Sequence, residues 1–170
     1  MLCFDIRTLE SQAVQVDGEL AADDPVWETD GPRPAGPLRV TGRLSSAGPG
    51  RIYFSGRLEG TMAGECRRCL KEVTAQVTDE VHLFFAEEGD ETAEDDPDVY
   101  PIDAAAHELD LRPAIRESYS LAAPLFLLCR DDCKGLCPTC GADHNAGACA
   151  CATTTDSRWD ALRSLRDASK

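Results

Sequence analysis

The sequence predicts an α+β fold: an antiparallel β meander with one or two short helices, followed by a C-terminal cysteine-rich segment of the zinc-ribbon type. Three observations predict it. Apolar and polar residues alternate over 38–46, 51–65 and 72–86, as strands with one solvated face do. A helical spacing of apolar residues follows at 108–121. Eight of the nine cysteines occur in closely spaced sets.

Length and charge narrow the class of protein. The chain has 170 residues, a net charge of −14 and only 6% aromatic residues, which fits one domain with a small aliphatic core. Its N-terminus lacks the pattern of a secretory signal, and no run approaches the ~18 apolar residues of a membrane helix. We therefore expect a cytoplasmic protein, in which patterned cysteines bind metal rather than form disulfides.

Composition divides the chain into four regions. In order, these are an N-terminal strand with a flexible acidic, Pro-rich loop (1–37), a β-rich core (38–128), a cysteine-rich zinc segment (129–155) and a C-terminal amphipathic helix (156–170). Within the core, residues 87–98 hold eight carboxylates and no apolar period, which predicts an exposed acidic loop. In the tail, Trp159, Leu162 and Leu165 recur every three residues behind a sequence that resembles a capping box.

The strands are predicted from residues that alternate between two faces. Leu38, Val40 and Leu44 share one face of the first strand, and its arginines lie on the other. The turn Gly48-Pro49-Gly50 joins this strand to the second, so the pair is expected to form an antiparallel hairpin. The alternation resumes over 72–86, which adds a third strand.

One helix is predicted before the cysteine-rich segment, over 109–121. Asp110 is its expected N-cap, Pro113 lies in the first turn, and Pro124 is expected to end it. The apolar run Leu125–Leu128 that follows is expected to be buried as it leads into Cys129.

The cysteines carry the predicted chemistry. In a C-x2-C turn two thiolates reach one ion at about 2.3 Å, and a small following residue, as in CPTCG over 137–141, lets backbone amides point at the sulfur. Eight paired cysteines match two tetrahedral zinc sites that are closed to substrate and serve folding. The predicted ligands are Cys66, Cys69, Cys129, Cys133, Cys137, Cys140, Cys149 and Cys151.

Spacing alone leaves the grouping of these ligands open. In one scheme the four cysteines up to Cys133 share one zinc, and the four from Cys137 onward hold the other in a local ribbon with little loop-closure cost. In the rival scheme the two C-x2-C turns share one ion. His144 is a possible substitute ligand at the second site. Cys3 is expected to be a small buried hydrophobe instead.

Charge is distributed unevenly. Residues 33–71 carry a net charge of +6, whereas residues 72–132 carry −14. The whole chain is too acidic to grip RNA non-specifically, but the basic segment is either a set of solvated strand faces or a local contact for RNA or an acidic partner. The candidate RNA contacts are Arg39, Arg43, Arg51, Arg57, Arg67 and Arg68.

No pattern typical of an enzyme occurs in the sequence: there is no phosphate-binding glycine loop and no H-E-x-x-H motif. A thiol redox sensor is an alternative, because Arg67 and Arg68 would lower the pKa of the neighbouring thiols. Against it, no βαβ pattern of the thioredoxin type surrounds Cys66 and Cys69.

Several segments together resemble the YceD family, which is named for the accumulation of large-subunit ribosomal RNA. Order and spacing agree over about residues 38–166, although Ser157 stands where the family tail usually has proline. The matching segments are GECRRCL (64–70), EDDPDVYPID (94–103), LDLRPAIRESYSLAAPL (109–125), CKGLCPTCGADHN (133–145) and DSRWDALRSL (156–165).

The resemblance implies a non-enzymatic protein that supports the making or stability of large-subunit rRNA. Family members are commonly encoded beside a small, basic large-subunit ribosomal protein, which makes that protein and the rRNA the two implied partners. Members with fewer cysteines can keep the pair equivalent to Cys66 and Cys69 with ligands near Cys129 and Cys133, and this favours the first grouping. The alternative function is a zinc-ribbon adaptor for a non-ribosomal protein.

Overall fold

The computed structural model describes residues 2–28, 31–90 and 98–151. The predicted C-terminal helix and most of the predicted acidic loop lie outside these residues. In chain order the described elements are β1 (Cys3–Asp5), α1 (Ile6–Ser11), β2 (Val14–Leu20), a 3-10 turn (Pro25–Trp27), β3 (Leu38–Gly48), β4 (Arg51–Glu65), β5 (Glu72–Glu87), β6 (Val99–Ile102), β7 (Glu108–Asp110) and α2 (Arg112–Ala122).

The main sheet confirms the predicted antiparallel meander. Its strand order is β2-β3-β4-β5-β6, and the first four strands pair antiparallel with their neighbours in sequence. The short strand β6 adds to β5 in parallel, which the meander alone did not predict. A second, two-stranded ladder joins β1 and β7 near the N-terminus of α2.

The alternating residues of β3 and β4 lie on the faces of the sheet that the sequence predicts. Leu38, Val40 and Leu44 of β3 are fully buried, and Phe54 of β4 packs among them on the same face of the sheet. Gly42 lies opposite Gly56 in the register of β3 and β4. A Cβ atom on Gly56 would come within 2.4 Å of the Phe54 ring, so glycine is required for the ring to lie across this strand pair.

The two helices cover the buried face of the sheet. The 3-10 turn inserts Trp27 beside Tyr119 of α2, with the ring centroids 5.4 Å apart in an edge-to-face arrangement. Leu9 of α1 and Ile115 of α2 join the same core cluster. Residues before β3 therefore contribute directly to the core.

The helix begins later than predicted. Residues Glu108–Asp110 form strand β7 and pair with β1, a non-local partner that the local pattern does not reveal. Asp110 is therefore not the N-cap, which is Leu111; its carboxylate instead accepts a hydrogen bond from the Arg112 backbone N–H (2.9 Å). The helix ends at Ala122, ahead of Pro124 as expected.

The expected burial of Leu125–Leu128 is wrong. Leu125 and Phe126 are 89% and 62% exposed, and only Leu127 is buried, at 7%. The reason is that the segment lies against the end of the β4–β5 hairpin rather than the sheet core: Leu127 forms a parallel bridge with Cys66, and the neighbouring side chains of the run stay exposed. Arg67 lies over the exposed Phe126 ring, 4.0 Å from its centroid.

The β4–β5 hairpin reaches beyond the rest of the sheet. Its ladder continues to the pair Glu65 and Glu72, whereas β3 pairs with β4 only as far as Glu59. The turn at this projecting tip, residues 66–71, holds the first cysteine pair. The sheet thus places those two thiols away from the aliphatic core and beside the cysteine-rich segment.

Candidate metal centres

The first cysteine group is built on the hairpin tip. In the Cys66-to-Lys71 turn, the Leu70 N–H donates to the Cys66 carbonyl and the Cys66 N–H donates to the Lys71 carbonyl, both at 2.8 Å. The turn is closed by Leu70 in the left-handed region, with φ +58°. These bonds hold the Cys66 and Cys69 side chains on one side of the turn.

Residues after α2 complete this group. The Arg67 N–H donates to the Leu127 carbonyl (2.9 Å), which fixes the segment just before Cys129 against the tip. The sulfurs of Cys66 and Cys133 are 3.8 Å apart, and those of Cys69 and Cys129 are 3.5 Å apart. All four Sγ atoms lie within 4.8 Å of one another.

The thiols of this group differ in acidity. Burial raises the pKa of the Cys66 thiol, but backbone N–H groups of Cys129, Arg68 and Cys69 act on its sulfur and together lower the pKa to about 6. Burial, and after it the neighbouring sulfurs, raise the pKa of the Cys129 thiol to about 12. Thiols this close cannot all ionise unless a cation balances their charge.

The second group lies within residues 137–151 and starts with the same turn. The Gly141 N–H donates to the Cys137 carbonyl (2.9 Å), and the Cys137 N–H donates to the Ala142 carbonyl (2.8 Å). Here Gly141 takes the left-handed position, with φ +72°. The Sγ atoms of Cys137, Cys140, Cys149 and Cys151 also lie within 4.8 Å of one another.

Acidity in the second group follows the same pattern. The backbone N–H groups of Cys140 and Thr139 lower the pKa of the Cys137 thiol to about 6. The Cys140 sulfur, and after it burial, raises the pKa of the Cys151 thiol to about 12. This group is less shielded, because Cys140 is exposed while Cys149 and Cys151 are half-buried.

Both groups fit a tetrahedral ion. Four sulfurs bound at about 2.3 Å to one tetrahedral ion lie roughly 3.8 Å apart, close to the separations in the first group. Each group offers soft thiolate donors only, the donor set that favours zinc, iron–sulfur clusters or Cu(I) over hard cations. The arrangement can hold two ions in closed, four-ligand sites.

Arg68 and Asn145 hold together the segments around the first group, and sequence reasoning did not give either residue this role. The Arg68 guanidinium donates to the Asp131 and Cys133 carbonyls (3.0 and 2.9 Å). The Asn145 side-chain amide donates to the Cys133 sulfur (3.5 Å), and its carbonyl accepts from the Lys134 N–H (2.9 Å). These partners are distant in sequence, so no local pattern signals them.

Two further contacts keep the segments together. The Lys71 ammonium lies 2.8 Å from the Asp143 carboxylate. Lys71 and then Asn145 lower the pKa of that carboxyl to about 2, so the pair is charged at neutral pH. Gly135, at φ +73°, passes so near the Arg68 carbonyl that a Cβ atom would lie 2.8 Å from it.

Neither His144, the possible substitute ligand, nor Cys3, the expected buried hydrophobe, belongs to a four-cysteine group among the described residues. The His144 backbone N–H donates to the Gly135 carbonyl (3.0 Å). Cys3 lies in β1 and is half-buried rather than buried. Burial and then the Asp110 charge raise the pKa of the Cys3 thiol.

The fold gives the six candidate arginines different partners. Arg39, Arg51 and Arg57 each form an ion pair, with Asp17, Asp90 and Glu59 respectively. Arg68 is committed to backbone carbonyls, and Arg67 stacks on Phe126. Arg43 is exposed on the open face of β3 and forms no hydrogen bond or ion pair with the described residues.

The geometry can be set beside known proteins through a family model. The model described as "Large ribosomal RNA subunit accumulation protein YceD" matches residues 54–166 of this chain, about two thirds of its length. The chain belongs to the YceD family. The match includes both four-cysteine groups and the hairpin tip that supports the first.

Individual relatives of this YceD chain are distant. An uncharacterized protein of Mycobacterium tuberculosis H37Rv is 34% identical over 102 residues, which are 58% of this chain and 47% of the relative. A Mycobacterium leprae uncharacterized protein is 29% identical over 93 residues, 53% of this chain and 42% of its own. A Zea mays protein named "Large ribosomal RNA subunit accumulation protein YCED homolog 1, chloroplastic" is 39% identical over 71 residues, 41% of this chain and 24% of its own.

These alignments cover only part of each relative, and this limits what the relatives indicate about the YceD chain. The chain spans about half the length of the mycobacterial relatives that it matches, and less of the maize protein. No solved structure matches it. Among the described residues, no helix has the length and apolar character needed to cross a bilayer.

Proposed function

We propose that this YceD protein is a non-enzymatic zinc-binding factor that supports the synthesis, processing or accumulation of large-subunit ribosomal RNA during ribosome assembly. The observation that carries the proposal is the family match over residues 54–166, which includes two groups of four cysteines that can each hold an ion. The family description supplies the biological process, and the cysteine groups supply the chemistry.

Zinc is the proposed metal because closed sites of four thiolates are typical of structural zinc. A tetrathiolate site leaves no open coordination position, so an ion held there contributes stability rather than catalysis. An ion in the Cys66 group would link the tip of β4–β5 to the segment after α2, as structural ions do. A non-enzymatic role is consistent with this closed geometry.

Two contacts with the assembling ribosome are compatible with the charge pattern. The basic segment can meet rRNA phosphate, with Arg43 and Arg67 the candidates whose guanidinium groups pair with neither a carboxylate nor a backbone carbonyl among the described residues. The acidic segment 72–132 can instead hold a small basic large-subunit ribosomal protein by complementary charge. Both contacts can occur in one assembly factor.

The metal half of the proposal is tested by elemental analysis of protein purified without added metal. We expect two zinc ions per chain, with Cys66→Ser and Cys137→Ser each removing one. One ion in the wild type would restrict the proposal to a single site, and metal-free protein whose Cys66 and Cys69 react rapidly with thiol reagents would favour a redox sensor.

The ribosomal half is tested in a strain that lacks the gene. We expect less large-subunit rRNA relative to small-subunit rRNA, restored by the wild-type gene and not by the Cys66→Ser variant. Two results together would favour an adaptor function. The rRNA would be unchanged in the deletion strain, and the protein purified from the wild-type strain would carry a partner that does not belong to ribosomal precursors.

Direct RNA contact is tested by a salt titration of binding to large-subunit rRNA. We expect affinity at ~100 mM salt that falls as salt rises, because phosphate contacts release counterions. No binding at that salt concentration would leave the basic ribosomal protein as the expected partner.

A further inference from the structure

The face of the main sheet turned away from the helices carries exposed aromatic rings. Strands β4 and β5 bury Phe54, Leu83 and Phe85 on the core side, so the residues between them point outward. On this open face Tyr53 lies opposite Phe84 in the register, and His82 lies opposite Ser55. The two central strands of the sheet therefore present three rings side by side.

The rings form one continuous surface. Tyr53 and His82 are near parallel, with an interplanar angle of 14° and centroids 6.1 Å apart. The Tyr53 hydroxyl is hydrogen-bonded to His82 Nδ1 (2.7 Å), which fixes both rings. Phe84 lies directly opposite Tyr53, with the ring centroids 5.7 Å apart, and is 37% exposed although it is a large apolar residue.

Charge on this face is separated along the strands. At one end, Arg39 and Arg57 are paired with Asp17 and Glu59. At the end that carries the rings, the outward residues of β3 are Arg43 and Ser45, opposite Ser55 and Tyr53. Arg43 is exposed and has no carboxylate partner in the described part of the chain, so it is available to an anion.

We propose that this aromatic face, defined by Arg43, Tyr53, His82 and Phe84, binds a single-stranded segment of RNA. Bases stack on the rings, and Arg43 contacts a backbone phosphate. Stacking on aromatic side chains is the usual way in which open sheets hold unpaired bases, and it is a contribution separate from the phosphate contacts that positive charge provides. An acidic chain can therefore hold RNA here without a broad basic surface.

The observations favour RNA over a protein partner on this face. The exposed groups are aromatic rings, hydroxyls and one arginine, a set that matches bases and phosphate. The exposed leucines instead lie near α2 and the first cysteine group, where Leu121 and Leu125 are 81% and 89% exposed. An apolar patch of that kind is more typical of protein contacts.

The inference rests on the proposed function, because it names where RNA would bind. The probe is a fluorescently labelled single-stranded oligouridine of about 12 nucleotides, titrated with the full-length zinc-loaded protein at low salt and followed by anisotropy. We expect Tyr53→Ala or Phe84→Ala to weaken binding roughly 5- to 150-fold, the range for loss of one stacked base. Arg43→Ala is expected to reduce the salt slope by about 0.7.

Two controls keep the result interpretable. Tyr53→Leu fills similar space without a π face, so lost binding at unchanged Tm separates stacking from folding. Phe126→Ala removes an exposed ring near the cysteines, away from the aromatic face, and is expected to leave affinity unchanged. Equal affinity for a duplex of the same length would overturn the proposal, since paired bases cannot reach the rings.

The inference and the proposed function fail in different ways. Wild-type affinity in Tyr53→Ala and Phe84→Ala, or affinity lost only in Arg67→Ala and Phe126→Ala, overturns the aromatic face while rRNA accumulation in cells still supports the proposed function. A protein that binds no oligouridine, but loses a protein partner in Tyr53→Ala, also overturns it. Normal rRNA in the deletion strain overturns the proposed function without changing the binding measurement.

Discussion

The two cysteine groups start from the same backbone turn in different surroundings. Residues 66–71 and 137–142 share the same pair of backbone hydrogen bonds and a left-handed fifth residue. The first turn ends a long hairpin, and three of its group's four cysteines are buried. The second turn lies in a local segment where only Cys137 is buried.

The difference separates a long-range cross-link from a local one. An ion in the first group would join residues 60 or more apart in sequence, whereas the second group closes within residues 137–151. Fixing distant parts of a chain removes more freedom from the unfolded state than fixing near ones. The first site should therefore control global stability, and the second the order of its own segment.

The largest expected effect comes from removing a ligand of the first group, measured against the same change in the second. Cys66→Ser should lower Tm by more than ~10 °C, because it removes an ion that links the hairpin to the segment after α2. Cys137→Ser should lower it by less than ~3 °C while also removing one ion. Calorimetry with elemental analysis checks both. Equal losses of Tm would remove the distinction between the groups.

The next effect tests the hydrophobic support of the first group. Leu127 is buried against Gly64 and bridges Cys66, so Leu127→Ala should destabilise the fold by about 2–4 kcal/mol. Leu125→Ala, two residues away at an exposed position, is the matched control and should stay within about 0.5 kcal/mol. Urea denaturation measures both, and similar values would contradict the described burial.

A smaller effect comes from exchanging the residues that close the two turns. Leu70 adopts φ +58° at a cost that glycine avoids, so Leu70→Gly should stabilise the protein by about 0.5 kcal/mol. The reverse change, Gly141→Leu at φ +72°, should destabilise the second segment by about 1–2 kcal/mol. Amide exchange across each turn reports the effects separately, and a loss of protection in Leu70→Gly would count against the shared geometry.

The last effect is a pH dependence of the metal-free protein. Cys66 and Cys137 have thiol pKa values of about 6, below the ordinary 9.0, so their ionisation adds stability that is present above pH 9 and lost as pH falls through 6. Thiolate absorbance should show one group titrating near pH 6 per cysteine set. Each Cys→Ser variant should remove one such step, and a single step near pH 9 would contradict the N–H contacts.

Patterns over a few neighbouring residues predicted the long strands and the two cysteine turns. The alternation of apolar residues located β3, β4 and β5, and the C-x2-C spacing located both turns. Strand β7 was missed because Glu108–Asp110 become a strand only through pairing with Cys3–Asp5, far away in sequence. The predicted burial of Leu125–Leu128 failed for a related reason. Apolar character favours burial, but burial also needs a neighbouring surface, and the local sequence does not show whether one is present.

The arginines illustrate the same limit. Sequence charge gave Arg39, Arg43 and Arg57 equal weight, but the carboxylates that pair with Arg39 and Arg57 depend on strand register and side-chain geometry. Arg68 looked like a phosphate contact, yet its guanidinium holds the carbonyls around Cys133. The sequence alone could not show that Tyr53 and His82 meet, because their contact depends on the register of β4 with β5.

The projecting tip of β4–β5 also sets an order of events during translation. Cys66 and Cys69 leave the ribosome about 60 residues ahead of Cys129 and Cys133. In that interval β5, β6 and β7 emerge, and they can pair before the second pair of cysteines appears. The first cross-link can therefore close only after residue 133 has been synthesised. A nascent chain that stalls before residue 129 would present two unligated thiols at the end of a finished hairpin.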